Sequence, residues 1–236
     1  MPFDFYQALI TTGTLHIIAL SGMNITILIN LTAKATLFLG RRISIIVTIC
    51  LIALFVMFVG AGPTIVRAAI MGSLSLIAIY FGRVYFSLLS LIMASLVMLL
   101  FDPDLIGNIS FQLSFLATLG IIIGNRTFAS QYIGGSLQRF ILPIVENFRL
   151  TIFAQIFTLP VILYNFGRIS LVSPLANVLI EWTIQPIMVL GFVTVALGLV
   201  WLPLANIAAY FTWVPLTYLI KTVEFLSVFP FASVQF

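Results

Sequence analysis

Long apolar runs separated by short polar segments dominate the chain, and they predict helices that cross a membrane. Several runs reach the roughly 20 apolar residues that are needed to cross a bilayer core of about 30 Å. The runs are continuous, whereas a transmembrane β-barrel would alternate apolar and polar residues over segments of about ten. We predict eight spans, at residues 14–36, 43–60, 64–81, 87–101, 106–124, 150–166, 184–202 and 204–220.

One further apolar stretch, residues 169–182, is interrupted by Pro174 and is too short to cross a membrane. Proline lacks a backbone N–H donor and disturbs a helix in its interior. Irregular backbone survives at membrane depth only inside the protein or beside a wet cavity. We therefore predict a broken or re-entrant segment here, with further helix breaks at Pro63 and Pro186. The predicted fold class is an all-α polytopic transmembrane helical bundle of about eight spans with one broken or re-entrant segment.

Composition supports a membrane protein and argues against metal chemistry. The chain is 62% hydrophobic and 7% charged, whereas a soluble domain carries about 25% charged residues. Cys50 is the only cysteine and His16 the only histidine. An intrachain disulfide, a cysteine-based metal site and a histidine-rich zinc cluster are thereby excluded within this chain. We expect no metal and no cofactor.

The charges between the spans predict the orientation in the membrane. Asp102 and Asp104 follow the fourth span, and Arg168 is the main basic residue on the same side. Because loops rich in Lys and Arg stay in the cytoplasm, we predict that both termini lie outside and that the loop 126–149 lies inside. The basic residues of the predicted inner side are Lys34, Arg41, Arg42, Arg83, Arg126, Arg139 and Arg149.

Polar side chains within the first span are candidates for function, because each costs free energy in hydrocarbon unless it has a partner or faces water. Ser21 and Asn24 are three residues apart and share a helix face, and His16 lies roughly on the same side. These groups either hold neighbouring helices together or face a pore or substrate. His16 and Ser21 are about 140° apart around a helix and do not form a catalytic pair.

Arg67 lies about one turn after Pro63, near the outer end of the third span. Its side chain either extends to the lipid headgroups or points inward to a carboxylate or a phosphate. Glu181 is the only acid that we place at membrane depth, and pairing with Arg67 would neutralise both.

Three further polar groups complete the candidate set. Ser114 belongs to a stripe of hydroxyl residues that recurs every four residues, and Gln112 lies on another face of the same span. Asn177 and Glu181 are four apart and share a face in any helix that follows Pro174. The candidate interior or path-lining residues are His16, Ser21, Asn24, Arg67, Gln112, Ser114, Asn177 and Glu181, and the stripe is Ser110, Ser114 and Thr118.

Several strings of residues, taken in order, resemble the competence domain of the ComEC family, the cytoplasmic-membrane channel for DNA uptake in bacteria. The resemblance covers nearly the whole chain. One position departs from the family pattern, since the first motif usually ends in a second histidine and Asn24 stands there. The matching strings are Thr12-Gly13-Thr14-Leu15-His16 with Ser21-Gly22, Pro63 with Val66-Arg67-Ala68-Ala69, Asp102-Pro103, Phe111-Gln112-Leu113-Ser114-Phe115-Leu116, Pro174 with Asn177, and Pro186.

This resemblance implies a non-enzymatic channel domain over residues 1–236 that passes single-stranded DNA into the cytoplasm during natural transformation. It also implies a DNA receptor and a cytoplasmic ATPase as partners. The apolar runs themselves predict the lipid bilayer as a partner, and a second copy of the chain is a further expected partner. Family members carry an extracellular oligonucleotide-binding-type domain before the bundle and often a metallo-β-lactamase-like domain after it. Both are absent from this sequence, so we expect a fragment, a split-gene product or a cut piece without nuclease activity.

Other functions stay open on the residues alone. A secondary transporter of a small molecule would show two repeated halves with paired broken helices, and only one broken segment is predicted. An intramembrane hydrolase needs a nucleophile and a base within reach, and His16 has no well-placed serine. A purely structural membrane scaffold is the third alternative.

Overall fold

The computed structural model describes residues 3–14, 22–127, 138–170, 172–228 and 233–235. The chain divides into two compact units. We call Leu20–Tyr132 with Ile152–Asn165 the central unit, and Met1–Ala19, Ile133–Thr151 and Phe166–Phe236 the terminal unit. The elements are α1 Phe3–Thr11, α2 Gly22–Thr36, α3 Arg41–Val59, α4 Pro63–Tyr80, α5 Ser87–Phe101, α6 Ile109–Thr127, α7 Gln138–Phe166, β1 Arg168–Ser170, α8 Ser173–Val200, α9 Leu202–Ser227 and β2 Ser233–Gln235, with short 3₁₀ turns at Leu37–Leu39 and Pro103–Gly107.

The predicted all-α membrane bundle is confirmed, and each predicted span overlaps one of the helices α2 to α9. Within the described ranges, four helices are long and apolar enough to cross a membrane: Arg41–Val59, Pro63–Tyr80, Val145–Asn165 and Ser173–Val200. Ser87–Phe101 and Ile109–Asn125 are apolar but shorter. That all eight helices cross the membrane stays a prediction.

The core of the central unit lies between α2, α3 and α4. Small residues set how closely α2 and α4 approach, since a β-carbon placed on Gly72 would lie 2.7 Å from Ile29 Cδ1. Large apolar side chains such as Phe58 and Phe101 instead point outward and are exposed. An apolar exterior around a packed interior is what a helix bundle in lipid requires. The buried core side chains are Ile25, Leu28, Ile45, Ile52, Ile65, Ala69 and Leu76.

The helices α6 and α7 also meet through glycines within the central unit. A β-carbon on Gly120 would lie 2.6 Å from the carbonyl oxygen of Phe153 and 3.1 Å from the Cα of Ala154. One turn further along α6, a β-carbon on Gly124 would lie 2.9 Å from the ring of Phe153. The two backbones approach this closely only because both positions lack a side chain.

The predicted broken segment at 169–182 is wrong. From Ser173 the chain is one helix, α8, that continues through Val200 with Pro186 inside it. Pro174 lies in the first turn, where its missing N–H would have had no helical acceptor, so it begins the helix rather than breaking it. Pro63 likewise is the first residue of α4. Pro186 lies inside α8 and does not end it, since the helix continues through Val200.

One predicted loop is also corrected. The loop 126–149 is shorter than expected, because α6 runs to Thr127 and α7 begins at Gln138. The start of the first predicted span, residues 15–21, lies outside the described residues, between the end of α1 at Thr11 and the start of α2 at Gly22.

The terminal unit contains a small feature that the sequence did not predict. Strand β1 pairs antiparallel with β2, with Ile169 opposite Val234. Against this pair lies the turn after α1, where Gly13 has a φ of +68°. A β-carbon there would lie 2.9 Å from Ser173 Cβ and 3.0 Å from Ser170 Cβ. Both the backbone conformation and the lack of space therefore require glycine at this position.

Candidate functional site

The side chain of Arg67 is buried inside the central unit and is held by hydroxyl groups of a neighbouring helix. Only 8% of its surface is exposed. Its Nε donates a hydrogen bond of 2.8 Å to Ser114 Oγ, and its Nη1 donates to Thr118 Oγ1. Nη1 also lies 3.6 Å from Met71 Sδ on its own helix. The guanidinium is thus fixed between α4 and α6.

Helical spacing explains why these groups meet. Pro63 begins α4 and Arg67 follows one turn later, while Ser114 and Thr118 are four residues apart on one face of α6. The Thr118 hydroxyl also donates to the backbone carbonyl of Ser114 at 2.9 Å. Its hydrogen is therefore engaged by its own helix, and its lone pairs are directed to the arginine.

A third helix closes the site. A β-carbon placed on Gly22, at the start of α2, would lie 3.3 Å from Arg67 Nη2 and 3.2 Å from Ala68 Cβ. Gly22 therefore brings the α2 backbone against the edge of the guanidinium. The site is formed by residues from α2, α4 and α6, which supply three of the motif strings.

The electrostatics of this site are unbalanced. Among the described residues of the central unit, Arg67 has two hydroxyls and a thioether as partners and no carboxylate. Hydrogen bonds to neutral groups satisfy donors but leave the positive charge uncompensated. A buried unpaired charge is costly, so an arrangement of this kind is typical of a site that meets an anion or water during function.

A second group of buried polar side chains lies in the terminal unit. The hydroxyls of Thr12 and Thr14 are joined by a hydrogen bond of 2.8 Å, and Ser173 is buried beside the intervening Gly13. One turn along α8, Asn177 is only 9% exposed, and its Oδ1 has no hydrogen-bond partner among the described residues. Buried polar atoms are nearly always paired, so this amide is a second candidate for a functional group.

The structure brings together two of the predicted residues. Arg67 points inward, in agreement with one of its two predicted orientations, and contacts Ser114. Its pairing with Glu181 stays a prediction. Asn24 is half-buried in α2, and Glu181 is half-buried in α8 of the terminal unit. His16 and Ser21 lie outside the described residues.

Gln112 lies near the start of α6, and its role in lining a path stays a prediction. Its Nε2 donates to the carbonyl of Ile106 at 2.8 Å, which closes the turn before α6.

Thr118 contacts Arg67 but was not among the candidate residues, although it belongs to the stripe of hydroxyl residues. The four-residue period shared with Ser114 was the signal that could have identified it.

Within the described ranges, no three His, Cys, Asp or Glu side chains come together as metal ligands.

Long apolar helices around a buried polar site define a polytopic helical membrane protein. A family model described as "Competence protein" matches residues 1–236, and the chain belongs to that family. This confirms the resemblance found in the motifs. The chain is similar to ComE operon protein 3 of Bacillus subtilis (strain 168), at 31% identity over 176 residues. The match covers 74% of this chain and 21% of that relative. No solved structure matches the chain.

Proposed function

We propose that this bundle forms part of the channel through which single-stranded DNA crosses the cytoplasmic membrane during natural transformation. Membership of the competence family supports this function. The observation that carries the proposal is the buried guanidinium of Arg67, which lies on a membrane-length helix with only neutral partners among the described residues. A strand with one negative charge per nucleotide needs fixed positive groups along its path.

The proposed orientation places both termini outside the cytoplasmic membrane. Two basic residues at the predicted inner side are positioned by the aromatic end of α4. Arg41 donates to the carbonyl of Ile79 at 3.2 Å, and the Arg42 guanidinium lies 5.9 Å from the ring centroid of Tyr80. Basic and aromatic side chains at one level of a bundle are typical of the cytoplasmic interface. Within the described ranges eight helices follow α1, and an even number of crossings by these helices would leave both ends of the chain on the same side.

The proposed partners follow from the same function. They are single-stranded DNA, an external DNA receptor, a cytoplasmic ATPase that draws in the strand, and a second copy of the chain. We propose no catalytic reaction for these residues. The transporter and hydrolase alternatives gain no specific support from the described geometry.

The test deletes the full-length gene from a naturally competent host and follows labelled duplex DNA. We expect the deletion to abolish the strand protected inside the cell while surface-bound duplex DNA remains. Complementation with the wild-type gene should restore internalisation. Normal internalisation in the deletion strain would refute the proposed function and would favour a transporter or scaffold role.

A further inference from the structure

The guanidinium of Arg67 has two different edges. Its Nε and Nη1 are engaged by Ser114 and Thr118, which fix the plane of the group. Its Nη2 has no acceptor among the described residues and lies beside Gly22. One edge therefore holds the side chain in place, and the other has no hydrogen-bond partner among the described residues.

We propose that Arg67 Nη2 is the contact point for an internucleotide phosphate, and that Gly22 determines whether a phosphate can reach it. This inference rests on the proposed DNA-uptake function. It adds the atom that contacts the phosphate, Arg67 Nη2, and the residue that controls access to this atom, Gly22. Arg67 would bind the phosphate, whereas Gly22 would act only by leaving space.

The chemistry favours a phosphodiester as the ligand. A guanidinium keeps its charge in a protein and donates strongly to phosphate oxygens. The hydroxyls of Ser114 and Thr118 orient the group without neutralising it, so the charge remains available to an anion. Because the side chain is already held in one orientation, little conformational entropy is lost when the anion binds.

The steric part of the inference follows from the position of Gly22. A methyl group at that position would lie 3.3 Å from Nη2, within contact distance of the nitrogen. It would cover the free edge without removing the charge or the two hydroxyl partners. Gly22→Ala therefore blocks access of a ligand to Arg67 Nη2 while the arginine itself remains in place.

Gly22→Ala also meets Ala68 Cβ at 3.2 Å, so its effect on helix packing needs its own controls. Gly72→Ala is the matched control, because it perturbs the same α2–α4 interface at Ile29 and leaves Arg67 untouched. The double variant Gly22→Ala with Ala68→Gly relieves the contact with Ala68 but still covers Nη2.

The experiment measures binding of a fluorescent oligothymidylate to the purified full-length protein in detergent over a range of salt concentrations. We expect Gly22→Ala to weaken binding at low salt about tenfold, as for one lost charge-assisted hydrogen bond. The slope of log affinity against log salt should become shallower by about 0.7, which corresponds to one phosphate contact on a single strand. The double variant should behave like Gly22→Ala, and Gly72→Ala like the wild type.

Three kinds of result would overturn this inference. The first is recovery of binding in the double variant, or an equal loss in Gly72→Ala, since either would make helix packing the cause. The second is an unchanged salt slope in Gly22→Ala. The third is unchanged oligonucleotide binding together with weaker binding of phosphatidylglycerol, which would identify a lipid headgroup as the ligand. None of these binding results refutes the proposed function, as long as the wild-type gene restores DNA uptake in the deletion strain. Failure of the wild-type gene to restore uptake would refute the function itself.

Discussion

Arg67 on α4 and Ser114 on α6 are joined by a hydrogen bond of 2.8 Å from the guanidinium Nε to the hydroxyl oxygen. Forty-six residues of chain separate the two positions, so the contact exists only because the helices pack side by side. It directs a permanent positive charge into the central unit and leaves that charge without a counter-ion among the described residues of this unit.

Replacement of Arg67 tests the need for this charge. In the full-length protein, Arg67→Ala should reduce DNA internalisation to the level of the deletion strain, because the fixed cation is lost. Arg67→Lys should rescue poorly, since an ammonium group cannot hold the two hydroxyls and a phosphate in the same fork geometry. Internalised labelled DNA is the measurement, with the amount of membrane-inserted protein as the control. Normal uptake with alanine would show that the charge is not used.

The hydroxyl partners should matter for stability as well as for orientation. Ser114→Ala and Thr118→Val each leave a donor of the buried guanidinium unpaired, and each should destabilise the protein by about 1 kcal/mol. Ser110→Ala is the control, because this exposed residue belongs to the same stripe one turn away. Thermal unfolding in detergent checks the effect. Equal melting temperatures for all three variants would contradict the assigned contacts.

The close approach of α6 to α7 predicts a position-specific effect of added volume. Gly120→Ala places a methyl group against the backbone of Phe153 and should destabilise the protein by about 1–3 kcal/mol. Gly191→Ala in α8 has no neighbouring atom within 4 Å and should be neutral or stabilising by up to about 1 kcal/mol. The measurement is the fraction of each purified variant that remains monodisperse after heating. A harmless alanine at 120 would show that these helices are not in contact.

Replacement of Asn177 should change protein stability and DNA uptake in opposite directions. Because its Oδ1 is buried and unpaired among the described residues, Asn177→Leu should stabilise the protein by about 1 kcal/mol. DNA uptake should nevertheless fall, if the amide is retained for function. Asn165→Leu, at an exposed position of α7, is the control and should change neither quantity appreciably. A less stable leucine variant with normal uptake would indicate that the amide is structural.

The orientation can be tested by labelling single cysteines in a Cys50→Ser background. An impermeant thiol reagent added to intact cells should modify cysteine at Asp104, between α5 and α6. It should not modify cysteine at Val84, which is exposed between α4 and α5, or at Gly135. The labelled fraction before and after permeabilisation is the measurement. The reverse pattern would invert the topology and place the basic loops outside.

The sequence alone determined the class of the protein and the position of most helices. Long apolar runs have few alternatives in a bilayer, because every backbone group must be satisfied within a helix, so α3 to α6 were predicted to within a few residues. The motif strings identified the family for a different reason, since they combine rare polar residues in a fixed order. Proline was less informative, because its effect depends on whether it lies in the first turn of a helix, as Pro174 does, or inside one.

Only the tertiary structure decided which polar residues act together. The sequence left Arg67 with two orientations and proposed Glu181 as its partner, because a lone acid and a lone base at membrane depth are expected to pair. The packing of α4 against α6 placed Ser114 beside the guanidinium, and the approach of α2 placed Gly22 at its free edge. Periodicity shows which side chains share a face of one helix, but only the packing of helices against one another determines which faces meet.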